Sequence, residues 1–189
     1  MPDTRLSGMF VPHARDIYMS KEQRIALAVD YFRQGFNCAQ AVCAAFADLY
    51  GFSEEQAVRM AASFGGGIGR MRETCGAACG MFLLAGLDCG ATRGDDRDGK
   101  AHNYAVVQQL AETFRQRNGS LICAELLGLR PMGSLPSPTI GNPVPDERTA
   151  EYYTKRPCAL KVEEAARIFA EYYESVHGEN ELKGERVKR

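Results

Sequence analysis

Cys38, Cys75, Cys123 and Cys158 are the residues of this chain with the greatest chemical reach. Successive members lie 37, 48 and 35 residues apart, so no two can meet locally and only a fold can gather them. Thiolates are soft metal ligands and redox-active nucleophiles. Cys38 follows Asn37, Cys75 follows Thr74, and Cys158 lies in the Pro-Cys-Ala lead-in to the last helical pattern. Helix N-termini stabilise anions through free N–H groups and the macrodipole, so a thiol at each of these three places is expected to have a lowered pKa. Arg70 and Arg72 precede Cys75 closely and are expected to add positive potential there.

The run Phe64-Gly-Gly-Gly-Ile-Gly-Arg70 before Cys75 suggests a nucleotide loop at first sight. It follows a helical pattern rather than a strand and lacks Gly-Lys-Ser/Thr, so a dinucleotide fold is rejected. The surviving expectation is that Gly65, Gly66, Gly67, Gly69, Arg70 and Gly76 let backbone close over the Cys75 site and contribute to binding a cluster or an anion. Cys75 and Cys79 are four apart on one helix, with Cβ atoms about 5–6 Å apart. That suits a disulfide poorly, so Cys79 is either a further metal ligand or a core residue. Cys43 and Cys89 read as packing. No Cys-x-x-Cys exists, so neither a thioredoxin-type dithiol, a zinc ribbon nor a c-type haem is indicated. His13, His102 and His177 have no metal-ligand spacing.

The elements that must position these residues read as helices. Ser20-Lys-Glu-Gln23, Asn37-Cys-Ala-Gln40 and Ser53-Glu-Glu-Gln56 are capping boxes. They open helices expected over about residues 21–34, 38–49 and 54–63, the first two closed by Gly35 and Gly51. A nearly all-apolar helix over about 75–87 belongs at the centre. A polar loop over 88–99 precedes helices over about 100–117, 120–127 and 161–176. Residues 130–146 hold five prolines and read as an irregular excursion. No strand alternation is found. The expectation is an all-α, single-domain bundle of about six to seven helices over residues 20–177, with an N-terminal arm over 1–19 and a charged tail over 178–189.

Composition narrows the classes. In 189 residues, 23 basic and 24 acidic side chains leave a net charge of −1, which recommends neither nucleic acid nor a membrane surface as partner. No stretch has the length of a membrane span, and the N-terminus has no apolar h-region, so a cytoplasmic location without membrane insertion is expected. Seven cysteines are too few, and odd in number, for a disulfide scaffold.

Asn37-Cys-Ala-Gln-Ala, the Phe64–Gly80 run with Cys75-Gly-Ala-Ala-Cys-Gly80, then Cys123 and Cys158, resemble the C_GCAxxG_C_C family of redox-active proteins. The resemblance covers about residues 26–172. It implies a small helical protein, sometimes encoded near transporter genes, and it is what brings Cys123 into the set of four. The leading expectation is that Cys38, Cys75, Cys123 and Cys158 converge on an iron–sulfur cluster for electron transfer, with a redox partner. The alternatives are metal-free dithiol–disulfide cycling by the same cysteines, and a structural zinc–thiolate site in a transporter-associated interaction protein. Whether the chain is an enzyme, and its oligomeric state, are left open.

Overall fold

The computed structural model describes residues 19–133 and 142–178. Nearly all of the expected arm and tail, and residues 134–141 of the proline-rich excursion, lie outside the described residues. Among the described residues there are eight α-helices, six of them of seven residues or more, and no strand. They are α1 (Lys21–Arg33), α2 (Cys38–Ala44), α3 (Glu54–Ala61), α4 (Gly76–Cys89), α5 (Arg97–Asn118), α6 (Cys123–Leu126), α7 (Ala150–Lys155) and α8 (Cys158–His177). Among the described residues no helix is long and apolar enough to cross a membrane.

All three capping boxes form: Ser20, Asn37 and Ser53 each accept from the backbone of the Gln three residues on, whose side chain returns to the cap N–H. The second helix ends sooner than its apolar pattern suggests. The Ala45 carbonyl would accept the Leu49 amide in a continuing helix. It accepts from the buried Arg24 guanidinium instead (3.0 Å), while Leu49 turns to Phe46 in a 3-10 segment, Ala47–Tyr50. Arg24 also forks onto Asp48 at 2.7 and 2.8 Å, which pairs a charge that would be prohibitively desolvated alone.

The centre is the pair α2 and α4, which approach each other through small residues. A Cβ on Gly80 would lie 2.9 Å from the Ala39 carbonyl oxygen and from Val42 Cβ, so glycine is what lets the two backbones approach. Around them α8 buries Val162, Ala165, Ile168 and Phe169, and α5 buries Val106, Leu110 and Phe114. Phe46 meets Phe169 edge-on at 5.1 Å.

Further boundaries differ from the sequence expectation. Asp88, expected in a loop, belongs to the last turn of α4, where it accepts from the Tyr50 and Tyr172 hydroxyls and meets His177 at 2.7 Å. Helix α5 starts at Arg97 because Asp96 caps it through the Gly99 amide. Helix α8 starts at Cys158, with Pro157 as its cap residue. Helix α7 was not expected. Its one local signal is Thr149, whose side chain accepts from the Tyr152 amide.

Candidate functional site

All four spaced cysteines line one cavity of about 410 Å³. Each stands at the first residue or the cap of a helix: Cys38 in α2, Cys75 before α4, Cys123 in α6 and Cys158 in α8. Cys123, which the local sequence placed inside a short helix, thus follows the same rule as the other three. Cys79 is buried near this set, its thiol toward the Thr74 carbonyl, but it does not line the cavity. Cys43 is buried against the Gly80 carbonyl, and Cys89 contacts Asn103, consistent with packing roles.

Convergence comes from a device that no local pattern announces. Thr74 and Ile122 form an isolated antiparallel bridge. Cys75 donates its amide to the Leu121 carbonyl (2.7 Å), and Cys123 donates to the Glu73 carbonyl (2.6 Å). Cys75 and Cys123 therefore lie on one side of a two-stranded tie. The loop leading to it is wound left-handed. Gly66, Gly67, Ile68, Gly69, Arg70 and Arg72 all have positive φ, between 57° and 71°. For the three residues other than glycine this conformation is strained, at about 1–2 kcal/mol each. Returns from Gly69 to Ser63, Arg72 to Gly66 and Glu73 to Gly67 hold it.

Gly65, Gly66, Gly67, Gly69, Arg70 and Gly76 line the cavity. A Cβ on Gly67 would lie 2.6 Å from Cys123 Cβ, one on Gly65 about as close to the Asn37 side chain, and one on Gly76 2.7 Å from the Phe64 carbonyl oxygen and 3.3 Å from Cys38 Cβ. The Gly66 and Gly67 amides donate to no carbonyl among the described residues.

The thiols do not share one electrostatic fate. Cys75 was expected to ionise readily, yet burial pushes it up to about 12, with the neighbouring Cys123 adding to this, and the Ala77 and Ala78 amides of α4 only partly offset it. Desolvation has outweighed the helix terminus. Burial likewise raises Cys123, which Arg72 partly relieves. Arg72 therefore serves Cys123 rather than Cys75, and Arg70 turns away to Asp146. Interaction between the Cys38 and Cys158 thiols raises Cys38 and lowers Cys158 to about 7, with Arg156, Arg148 and Arg72 adding to the lowering. One of the three thiols expected to be depressed is so, and a tertiary partner contributes more than the helix.

Among the described residues no three of Cys, His, Asp and Glu stand close enough to hold a single metal ion. A tetrathiolate zinc site requires four sulfurs about 2.3 Å from one point, and this arrangement is more open than that. A model of the family described as "Putative redox-active protein (C_GCAxxG_C_C)" matches residues 36–172, most of the chain. No curated protein and no solved structure matches.

Proposed function

Because the chain belongs to the C_GCAxxG_C_C family of redox-active proteins, we propose that its four-cysteine cavity is a redox centre that holds an iron–sulfur cluster through Cys38, Cys75, Cys123 and Cys158. One observation carries this reading: four cysteines far apart in sequence, all at helix starts, line one cavity of about 410 Å³. Four thiolates are the usual complement for such a cluster. A cluster keeps its ligands further apart than one ion does, which suits the open arrangement. When bound, it would supply one-electron transfer.

The chain's own residues fit that occupant by charge and by donors. Arg72 favours ionisation of Cys123, and the Ala77 and Ala78 amides favour ionisation of Cys75. Such contacts favour thiolates and tune reduction potential. Arg148 and Arg156 lower the cost of ionising Cys158. Glycine backbone at Gly65–Gly67 closes one wall without filling it. The test is anaerobic purification followed by iron and acid-labile sulfide assays. Wild type is expected to hold both in stoichiometric amounts, and Cys75→Ser or Cys123→Ser to lose most of them. An iron-free, colourless wild type under those conditions would end the reading.

A second reading has its own support. Interaction between the Cys38 and Cys158 thiols raises the first and lowers the second, which pairs a protonated cysteine with a thiolate-forming one; such a pair closes to a disulfide when an oxidant accepts two electrons and the two thiol protons leave. Thiol counts on iron-free protein should then differ by two between oxidised and reduced samples, and Cys38→Ser should abolish the difference. An unchanged count excludes it.

A further inference from the structure

The rim of the cysteine cavity carries more positive charge than its sulfurs account for. Arg70, Arg72, Arg148, Arg156 and Lys161 line it, against the single carboxylate of Asp146. That carboxylate is gripped as a ligand would be. Arg70 reaches it with two nitrogens, Nη1 to Oδ2 at 3.1 Å and Nη2 to Oδ1 at 3.4 Å. Arg156 Nη2 reaches Oδ2 at 2.9 Å, and Arg72 stands 4.0 Å away. A planar fork of this kind is how arginine selects carboxylates.

Asp146 is nonetheless weakly anchored. It lies in an irregular, mostly exposed segment between Pro145 and α7, and its own side chain is 39% exposed. Arg148, two residues on, is held rigidly, with its guanidinium 4.6 Å from the ring centres of both Phe32 and Tyr152 and Nη2 donating to the Phe36 carbonyl. Among the described residues, its buried Nη1 has no hydrogen-bond partner. A buried guanidinium nitrogen left unpaired is costly, and an arriving acceptor would relieve it. Arg70 and Arg72 hold strained left-handed backbone at this rim, and strain of this kind gathers at binding sites.

We propose that this arginine cluster is a binding site for a small organic carboxylate anion beside the cysteines, and that Asp146 is its tethered internal occupant. An incoming carboxylate takes the Arg70–Arg156 fork, releases Asp146 to solvent, and satisfies Arg148 if it carries a second acceptor group. The site goes beyond the redox reading and does not need iron.

Malonate is the probe, with malonamide as its uncharged counterpart and sulfate as a non-planar anion, each measured by calorimetric titration of the full chain. Tethering gives Asp146 an effective concentration in the millimolar range or above. Asp146→Asn is therefore expected to bind one malonate about tenfold more tightly than wild type. Adding Arg70→Gln and Arg156→Gln to that variant should remove binding, and malonamide should bind neither. Should Asp146→Asn fail to fold by circular dichroism, wild type against Arg70→Gln decides: malonate binding weakened in the latter supports the site, and binding equal in both overturns it. Equal affinity in wild type and folded Asp146→Asn, survival of binding in the triple variant, or sulfate binding as tightly as malonate would each overturn the proposal. Iron and sulfide assays on the same samples judge the cluster separately, since malonate binding is expected with or without iron.

Discussion

At the scale of single residues, the thiols show that position on a helix does not by itself set reactivity. Cys75 and Cys158 both stand at helix starts, yet one is pushed up to about 12 and the other down to about 7. Buried sulfur loses hydration that a few amides do not replace, whereas Cys158 has a neighbouring thiol and arginines around it. On the reduced, iron-free chain, alkylation of Cys158 followed by mass spectrometry should rise through a midpoint near pH 7. Cys75 should remain unlabelled until far more alkaline pH. Arg156→Gln is expected to move the Cys158 midpoint upward by about one unit. A Cys158 midpoint at an ordinary thiol value would remove the account. Stability follows the same shifts with opposite signs. The depressed Cys158 contributes above the ordinary thiol pKa of 9.0, and its contribution is lost as pH falls through about 7. The raised Cys75 contributes below 9.0, and its contribution is lost as pH rises toward about 12. Denaturant titrations should therefore show stability declining above pH 9, less steeply in Cys75→Ala.

At the scale of elements, glycines do different work according to what surrounds them. Gly67 has φ of 71°, and an added Cβ would strike Cys123 Cβ at 2.6 Å and the Arg72 backbone at 2.9 Å. Gly67→Ala is expected to destabilise by about 2–5 kcal/mol, combining left-handed strain with overpacking, and to lower iron content with it. Gly86 on α4 is exposed, with nothing within 4 Å of an added Cβ. Gly86→Ala should stabilise by about 0.5–1 kcal/mol. Urea unfolding of the two variants checks both signs. Capping boxes were legible in the sequence because their partners are three residues apart. The early end of α2 was not, because Arg24 competes for the Ala45 carbonyl from another helix.

At the scale of the whole molecule, the end of the bundle opposite in chemistry to the cysteine cavity is tied by Asp88. Its nearly buried carboxylate joins Tyr50, Tyr172 and His177, and so links α4 to α8 and to the 3-10 turn after α2. Burial and this carboxylate together hold both tyrosines far above their ordinary pKa. Asp88→Ala removes the acceptor of two hydroxyls and a partner of the His177 ring, and is expected to lower stability by about 2–4 kcal/mol. Thermal unfolding monitored by circular dichroism measures it, and a loss under 0.5 kcal/mol would mean that water replaces the carboxylate at no cost.

The division between sequence and structure follows the range of the interactions. Helical class, the capped starts of α1, α2 and α3 and the central place of α4 rest on residue type and short spacing and were readable from the chain, whereas Cys123 joined the other three cysteines through the family resemblance. The glycine run was readable as a close-approach loop. The shared cavity was an expectation that only tertiary structure could realise, because it depends on the Thr74–Ile122 bridge across nearly fifty residues. The unequal thiols depend on which sulfur is buried and which meets an arginine. The pairing of Asp146 with arginines from the glycine loop and from beyond α7 is equally non-local. A capping pair lies within one helical turn and is written in adjacent letters. Desolvation and convergent charge are properties of the space that distant segments enclose, and exist only once the chain has closed around it.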